Sequence, residues 1–128
     1  MILLTVAEII MLHGKLIKAT GGLPGLRDRG LLESAVFSMN SGFEDIEQYP
    51  TVEEKAARLA YALISNHSFV DGNKRVGILA MLMTLELNSV TIQYTQPELV
   101  ELGLSIANGK RDYVEILKWI GSHEQQPN

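Results

Sequence analysis

The segment His67-Ser68-Phe69-Val70-Asp71-Gly72-Asn73-Lys74-Arg75 brings an imidazole, a carboxylate, a carboxamide, an ammonium and a guanidinium into nine consecutive residues. An imidazole titrates near pH 6.5 and can take a proton from an attacking hydroxyl, so His67 is the candidate base. Arg75 supplies a planar fork and Lys74 a compact charge, a complementary pair for polyphosphate. Asp71 adds a carboxylate beside them, and Mg²⁺ is the natural bridge between a carboxylate and phosphates. Asn73 can donate to a phosphate oxygen or accept toward the metal. Phe69 is expected to anchor the loop in the core. The chemistry indicated is phosphoryl or nucleotidyl transfer.

The elements that must position these groups read as helices. Asp71-Gly72-Asn73 is the expected start of one, and a helix N-terminus offers unpaired N–H groups and partial positive charge to an anion. Gly72 lets the backbone approach a ligand closely. Cations in a first turn oppose the helix dipole, a local cost expected where phosphate is bound. From Gly72 to about Leu87 the chain is apolar nearly all round, which predicts a central buried helix ended by a left-handed Asn88.

Upstream, Thr5-Val6-Ala7-Glu8 and Thr51-Val52-Glu53-Glu54 are capping boxes, each opening a run with apolar residues at helical spacing. The first run should stop at Gly21-Gly22, and the second places His67 at the end of its apolar stripe. Asp28 can cap a helix carrying Leu31, Leu32, Ala35, Val36 and Met39. Ser41 to Pro50 reads as a loop. Downstream, Val90 to Tyr94 suits a short extended piece. Thr95-Gln96-Pro97-Glu98 caps a helix to about Ala107, another spans about Arg111 to Ile120, and residues 122–128 read as a frayed tail. The expected architecture is an all-α bundle in one domain, residues 1–121, around the central helix 72–88. His13 and His123 lack metal-ligand spacing and read as structural or surface residues.

Composition narrows the function. At 128 residues the chain can bury a substantial core, and 46% hydrophobic residues are ordinary for a globular protein. The net charge of -4 argues against a dedicated nucleic-acid binder. The lack of cysteine removes disulfide and thiol chemistry. No signal-peptide pattern opens the chain, and the apolar run from Ile78 to Leu87 is far shorter than the roughly 20 residues of a membrane span. The expected location is the cytoplasm, with no membrane partner.

The segment His67-x-Phe69-x-Asp71-Gly72-Asn73-Lys74-Arg75 resembles the signature of the Fic/Doc family at every defined position. Gly21-Gly22-Leu23-Pro24-Gly25 with Arg27-Asp28 is similar to a stretch near the start of death-on-curing (Doc) toxins. Lys74 stands where adenylylating Fic enzymes typically have Gly, and Ile78 where they have a second Arg; both favour the Doc branch. Gly72, where the best-known Doc motif has Ala, leans the other way.

The resemblance implies a toxin of a toxin–antitoxin module that binds ATP reversed and transfers its γ-phosphate to a threonine of elongation factor Tu. It implies that His67 acts on the target hydroxyl, Asp71 holds Mg²⁺, and Asn73, Lys74 and Arg75 hold phosphates. No Glu has Ser or Thr four residues before it, so the inhibitory pattern (Ser/Thr)-x-x-x-Glu is absent from the sequence. Restraint is therefore expected from a small antitoxin whose C-terminal segment folds into an apolar groove. The alternatives are a Fic-type adenylyltransferase and, more remotely, a non-catalytic nucleotide-binding module or a ribonuclease toxin.

Overall fold

The computed structural model describes residues 1–125, which form six α-helices and one small hairpin. The helices are α1 (Val6–Thr20), α2 (Arg29–Ser38), α3 (Val52–Asn66), α4 (Asn73–Leu87), α5 (Gln96–Ala107) and α6 (Tyr113–His123). Local capping sets most of their starts. Thr5, Thr51 and Thr95 each close a complete capping box with the glutamate three residues on. Asp28 and Asp112 cap α2 and α6 through their carboxylates. Each such cap is worth about 1 kcal/mol.

The spine is the pair α3 and α4. Four alanines, Ala56, Ala57, Ala60 and Ala62, are buried on α3, and Gly77 lies opposite on α4. A Cβ at Gly77 would stand 2.6 Å from Ile64 Cγ1, so only glycine permits this approach of the two helices. One apolar cluster joins α3 and α4 to α5 and α6 through Met81, Leu102, Ile116 and Ile120. A second joins the same pair to α1 and α2 through Ile9, Leu32, Leu59, Leu63 and Phe69. A helix shared by two cores must be apolar on two sides, which explains the sequence of α4. Leu87, expected on its buried face, is 41% exposed at the helix end.

Three local expectations are corrected. The segment from Ser41 to Pro50 is not a plain loop: β1 (Gly42–Phe43) pairs antiparallel with β2 (Ile46–Glu47). Lys55 holds this hairpin down. Its buried Nζ donates to the Met39 carbonyl at 2.8 Å and to Glu47 Oε1 at 3.1 Å. Asn88 is not left-handed; Ser89 takes that conformation (φ 62°), and the Asn88 side chain bonds the backbone of Ile2 and Thr84. Finally, the chain does not fray from Ser122. The helix runs to His123, Glu124 bridges Ile92, and Gln125 N donates to the Thr91 carbonyl. Residues 126–128 of the expected tail lie outside the described residues.

His123 accounts for that last correction. Its ring stacks on Trp119, Nδ1 donates to the Trp119 carbonyl at 2.7 Å, and Nε2 meets Glu98 Oε2 at 2.5 Å. Burial alone would lower the His123 pKa, but the bonds to Glu98 and Trp119 win against it and against nearby Arg111, and the net shift is upward. Glu98 is shifted down, first by His123 and then by the Thr95 amide. A raised histidine stabilises the fold below its unfolded value of 6.5 and loses that contribution as pH climbs through the folded pKa. A lowered glutamate stabilises above 4.5 and loses its contribution on acidification. Thermal midpoints of wild type and His123→Gln should therefore differ most between pH 4.5 and 6.5 and converge at higher pH. A difference that grows with alkalinity would show the pair is not an ion pair.

Candidate active site

The motif occupies the turn between α3 and α4, the two helices packed most extensively against each other. Its first residue, His67, ends α3 in the left-handed conformation (φ 53°, ψ 52°), which costs a non-glycine residue about 1–2 kcal/mol. The imidazole is exposed and unbonded among the described residues. Its backbone is not free: the His67 carbonyl accepts from Arg27 Nε at 2.7 Å, and that of Asn66 from Arg27 Nη2 at 3.3 Å. Arg27 thus satisfies the end of α3 and sets where His67 projects.

The next three residues pair with the loop that follows α1. The Ser68 carbonyl accepts from the amides of Arg27 and Asp28, Val70 N donates to the Gly25 carbonyl, and Leu26 bridges Phe69. Phe69 is 2% exposed. Asn73 closes the loop over it, with Oδ1 accepting from Phe69 N and Nδ2 donating to Phe69 O, both at 3.0 Å. The Asn73 carboxamide is thereby engaged at both ends within the loop, and its backbone N–H is left without a hydrogen bond among the described residues.

Asp71 is gripped from several directions. Oδ2 accepts from Leu23 N at 3.0 Å and Oδ1 from Gly72 N at 2.8 Å, while Arg75 Nη2 lies 3.8 Å from Oδ1. The amides of Leu23 and Gly72, aided by Arg75, hold its carboxyl below the usual aspartate value although burial acts the other way. The carboxylate is ionised at any physiological pH. Gly22 makes room for it: at φ 114° a Cβ would come 2.7 Å from Asp71 Oδ2 and 2.9 Å from Arg75 Nη2.

Gly72 is the N-cap of α4, left-handed at φ 77° and ψ 16°, and contributes no capping side chain. The amides of Asn73, Lys74 and Arg75 carry no hydrogen bond among the described residues. Three unbonded N–H groups at the positive end of a helix are able to seat an anion. Lys74 stands exposed beside them with no ion-pair partner among the described residues. Arg75 Nη1 donates to Thr20 Oγ1 at 2.7 Å and to the Gly21 carbonyl at 2.8 Å, tying α4 to the end of α1. An apolar groove of about 650 Å³ opens from Lys74 and Arg75 between α1, α4 and α5, lined by Leu16, Ile78, Leu79, Leu82 and Leu99.

A metal bound here would find one ionised carboxylate. Among the described residues no group of three or more metal-binding side chains exists. Asp71 fits Mg²⁺, which accepts a single protein carboxylate and completes its shell with phosphate oxygens and water.

The family model for the Fic/DOC family matches residues 3–85 of the chain, which takes in the motif, the whole of α3, all but the end of α4 and the loop after α1. This chain belongs to the Fic/DOC family. Among curated Fic/DOC relatives, the Toxin Doc of Mycolicibacterium smegmatis is 39% identical over 74 residues, covering 58% of this chain and 57% of the relative. Protein kinase doc of Escherichia phage P1 is 32% identical over 103 residues, covering 80% of each. The chain thus spans a little over half of the first relative and most of the second.

Two residues outside the contiguous motif bond its backbone: Arg27 at the His67 carbonyl and His13 at the Asp71 carbonyl. Arg27 is visible in the sequence only as part of the Doc-like stretch. His13, on α1, reads in the sequence as a structural or surface residue; the structure buries it in a stripe with Ile9 and Ile17, every fourth residue. Among the described residues no helix is long and apolar enough to cross a membrane.

Proposed function

We propose that this chain is a Doc-type toxin that transfers the γ-phosphate of Mg-ATP to a hydroxyl of a translation factor, elongation factor Tu by family resemblance, in the cytoplasm. The observation that carries this reading is the convergence of three unbonded N–H groups, unpaired Lys74 and exposed His67 at one helix start. His67 takes the proton of the target hydroxyl as its oxygen attacks the γ-phosphorus. The bond to the bridging oxygen breaks, and ADP leaves. The α4 amides, Lys74 and Arg75 hold the phosphates, and Asn73 serves through its N–H and through the loop shape that its side chain enforces. Mg²⁺ held by Asp71 would neutralise phosphate charge. Transfer of this kind needs mainly positioning and charge neutralisation.

Lys74 supports phosphoryl over adenylyl transfer, because its side chain occupies the space beside the anion seat and offers charge to a terminal phosphate. Ile78, 8% exposed, offers no second guanidinium there. The name of the phage relative, a protein kinase, agrees. Gly72 favours the adenylyltransferase alternative. The toxin name of the mycobacterial relative supports an antitoxin partner, and the apolar groove beside Lys74 and Arg75 is the seat proposed for its C-terminal segment.

The test is intact-mass spectrometry of elongation factor Tu incubated with this protein and Mg-ATP. A gain of about 80 Da, one phosphoryl group, is expected. Gain of an adenylyl group would replace this reading by the alternative, and no gain would overturn the proposed target. For the partner, an added antitoxin tail should raise the thermal midpoint; an unchanged midpoint would overturn the groove assignment.

A further inference from the structure

His13 is 3% exposed in the middle of α1, a burial that an imidazole tolerates only with a hydrogen-bonding partner. That partner belongs to the motif, 58 residues away: Nε2 lies 2.7 Å from the Asp71 carbonyl oxygen. A carbonyl oxygen only accepts, so Nε2 carries the hydrogen, and the tautomer follows from the contact. The same ring lies flat on Phe69, with centroids 3.9 Å apart and planes 9° from parallel. It also packs near Gly72, where a Cβ would come 3.5 Å from Nε2. One side chain therefore touches two functional points of the loop, its anchor and its carboxylate residue, and lies beside a third, the cap of α4.

The Asp71 peptide is the lever. Turning it would move the Asp71 side chain away from the Leu23 amide and swing Gly72 out of the conformation that aims the α4 amides. An apolar residue at position 13 could fill the same space but leave the Asp71 carbonyl without its donor. We propose that His13 is a positioning residue for phosphate transfer. Its Nε2–H, acting through the Asp71 carbonyl, fixes both the Asp71 carboxylate and the first turn of α4. This inference rests on the nucleotide reading of the site given above.

Two substitutions separate positioning from packing. His13→Phe keeps a flat ring over Phe69 and removes the donor, whereas His13→Gln keeps a donor of similar reach and removes the ring. Calorimetric titration with Mg-ATP, which needs no protein target, should show affinity lowered about 10- to 100-fold in His13→Phe and largely restored in His13→Gln, the range typical for outer partners of a metal ligand. The Mg²⁺ concentration for half-maximal rate should rise in parallel. Equal affinity of wild type and His13→Phe, with His13→Gln the impaired variant, would make His13 a packing residue and overturn the inference. Wild type that fails to bind Mg-ATP would overturn the nucleotide reading and this inference with it; binding without any mass gain on elongation factor Tu would remove only the proposed target. Nitrogen-15 spectra of the folded wild type provide a check that no variant's folding can disturb. The Nε2–H tautomer of His13 is expected, and the Nδ1–H tautomer would overturn the assignment.

Discussion

Glycine in place of His67 is expected to lower group transfer about 10²- to 10⁴-fold, the usual contribution of a general base, while leaving the fold at least as stable as wild type. The two effects have separate causes. The imidazole is exposed and bonds nothing among the described residues, so its removal takes nothing from the core. The backbone at position 67 is left-handed, where glycine avoids a cost of about 1–2 kcal/mol. Glycine also gains about 0.5–1 kcal/mol of unfolded-state freedom, which opposes folding. The net expectation is a gain of between zero and about 1.5 kcal/mol, a thermal midpoint unchanged or higher by a few degrees. Thermal melts and the mass assay decide the matter together. Retention of the wild-type rate would remove His67 as the base, and a lower midpoint would mean that the ring packs.

Phe69→Ala acts on the opposite side of the same loop. Phe69 is 2% exposed, and its ring fills the second core cluster against His13. Truncating a buried phenylalanine costs about 3–5 kcal/mol, which for a domain of this size lowers the thermal midpoint by about 10–20 °C. The Asn73 clamp bonds the Phe69 backbone and survives the substitution. Below the new midpoint, transfer should therefore fall less than in the His67 variant. A loss under about 1 kcal/mol would show that the ring does not anchor the loop.

Most of the helices were legible in the sequence because their signals are local. Thr5, Thr51 and Thr95 reach only to the third residue ahead, and an apolar stripe reports its own period. The motif was legible for a related reason: His67, Asp71, Lys74 and Arg75 fall within nine residues, and a helix must start among them. The hairpin from Gly42 to Glu47 was not, because two-residue strands carry no alternation, and a buried ammonium on α3 secures them. Nor was the reach of α6 to His123, which depends on Glu98 meeting it across 25 residues.

The chain by itself thus determined the order of the helices, the central place of α4 and the set of groups offered to a phosphate. Tertiary structure decided how those groups are held. Asn73 turns inward to the Phe69 backbone, Asp71 is gripped by Leu23 and His13, and Arg75 is moored to Thr20 and Gly21. The physical reason is range. A capping bond or a helical stripe is complete within a few residues, whereas the grip on the loop exists only once α1 has packed against α4 and brought position 13 to position 71.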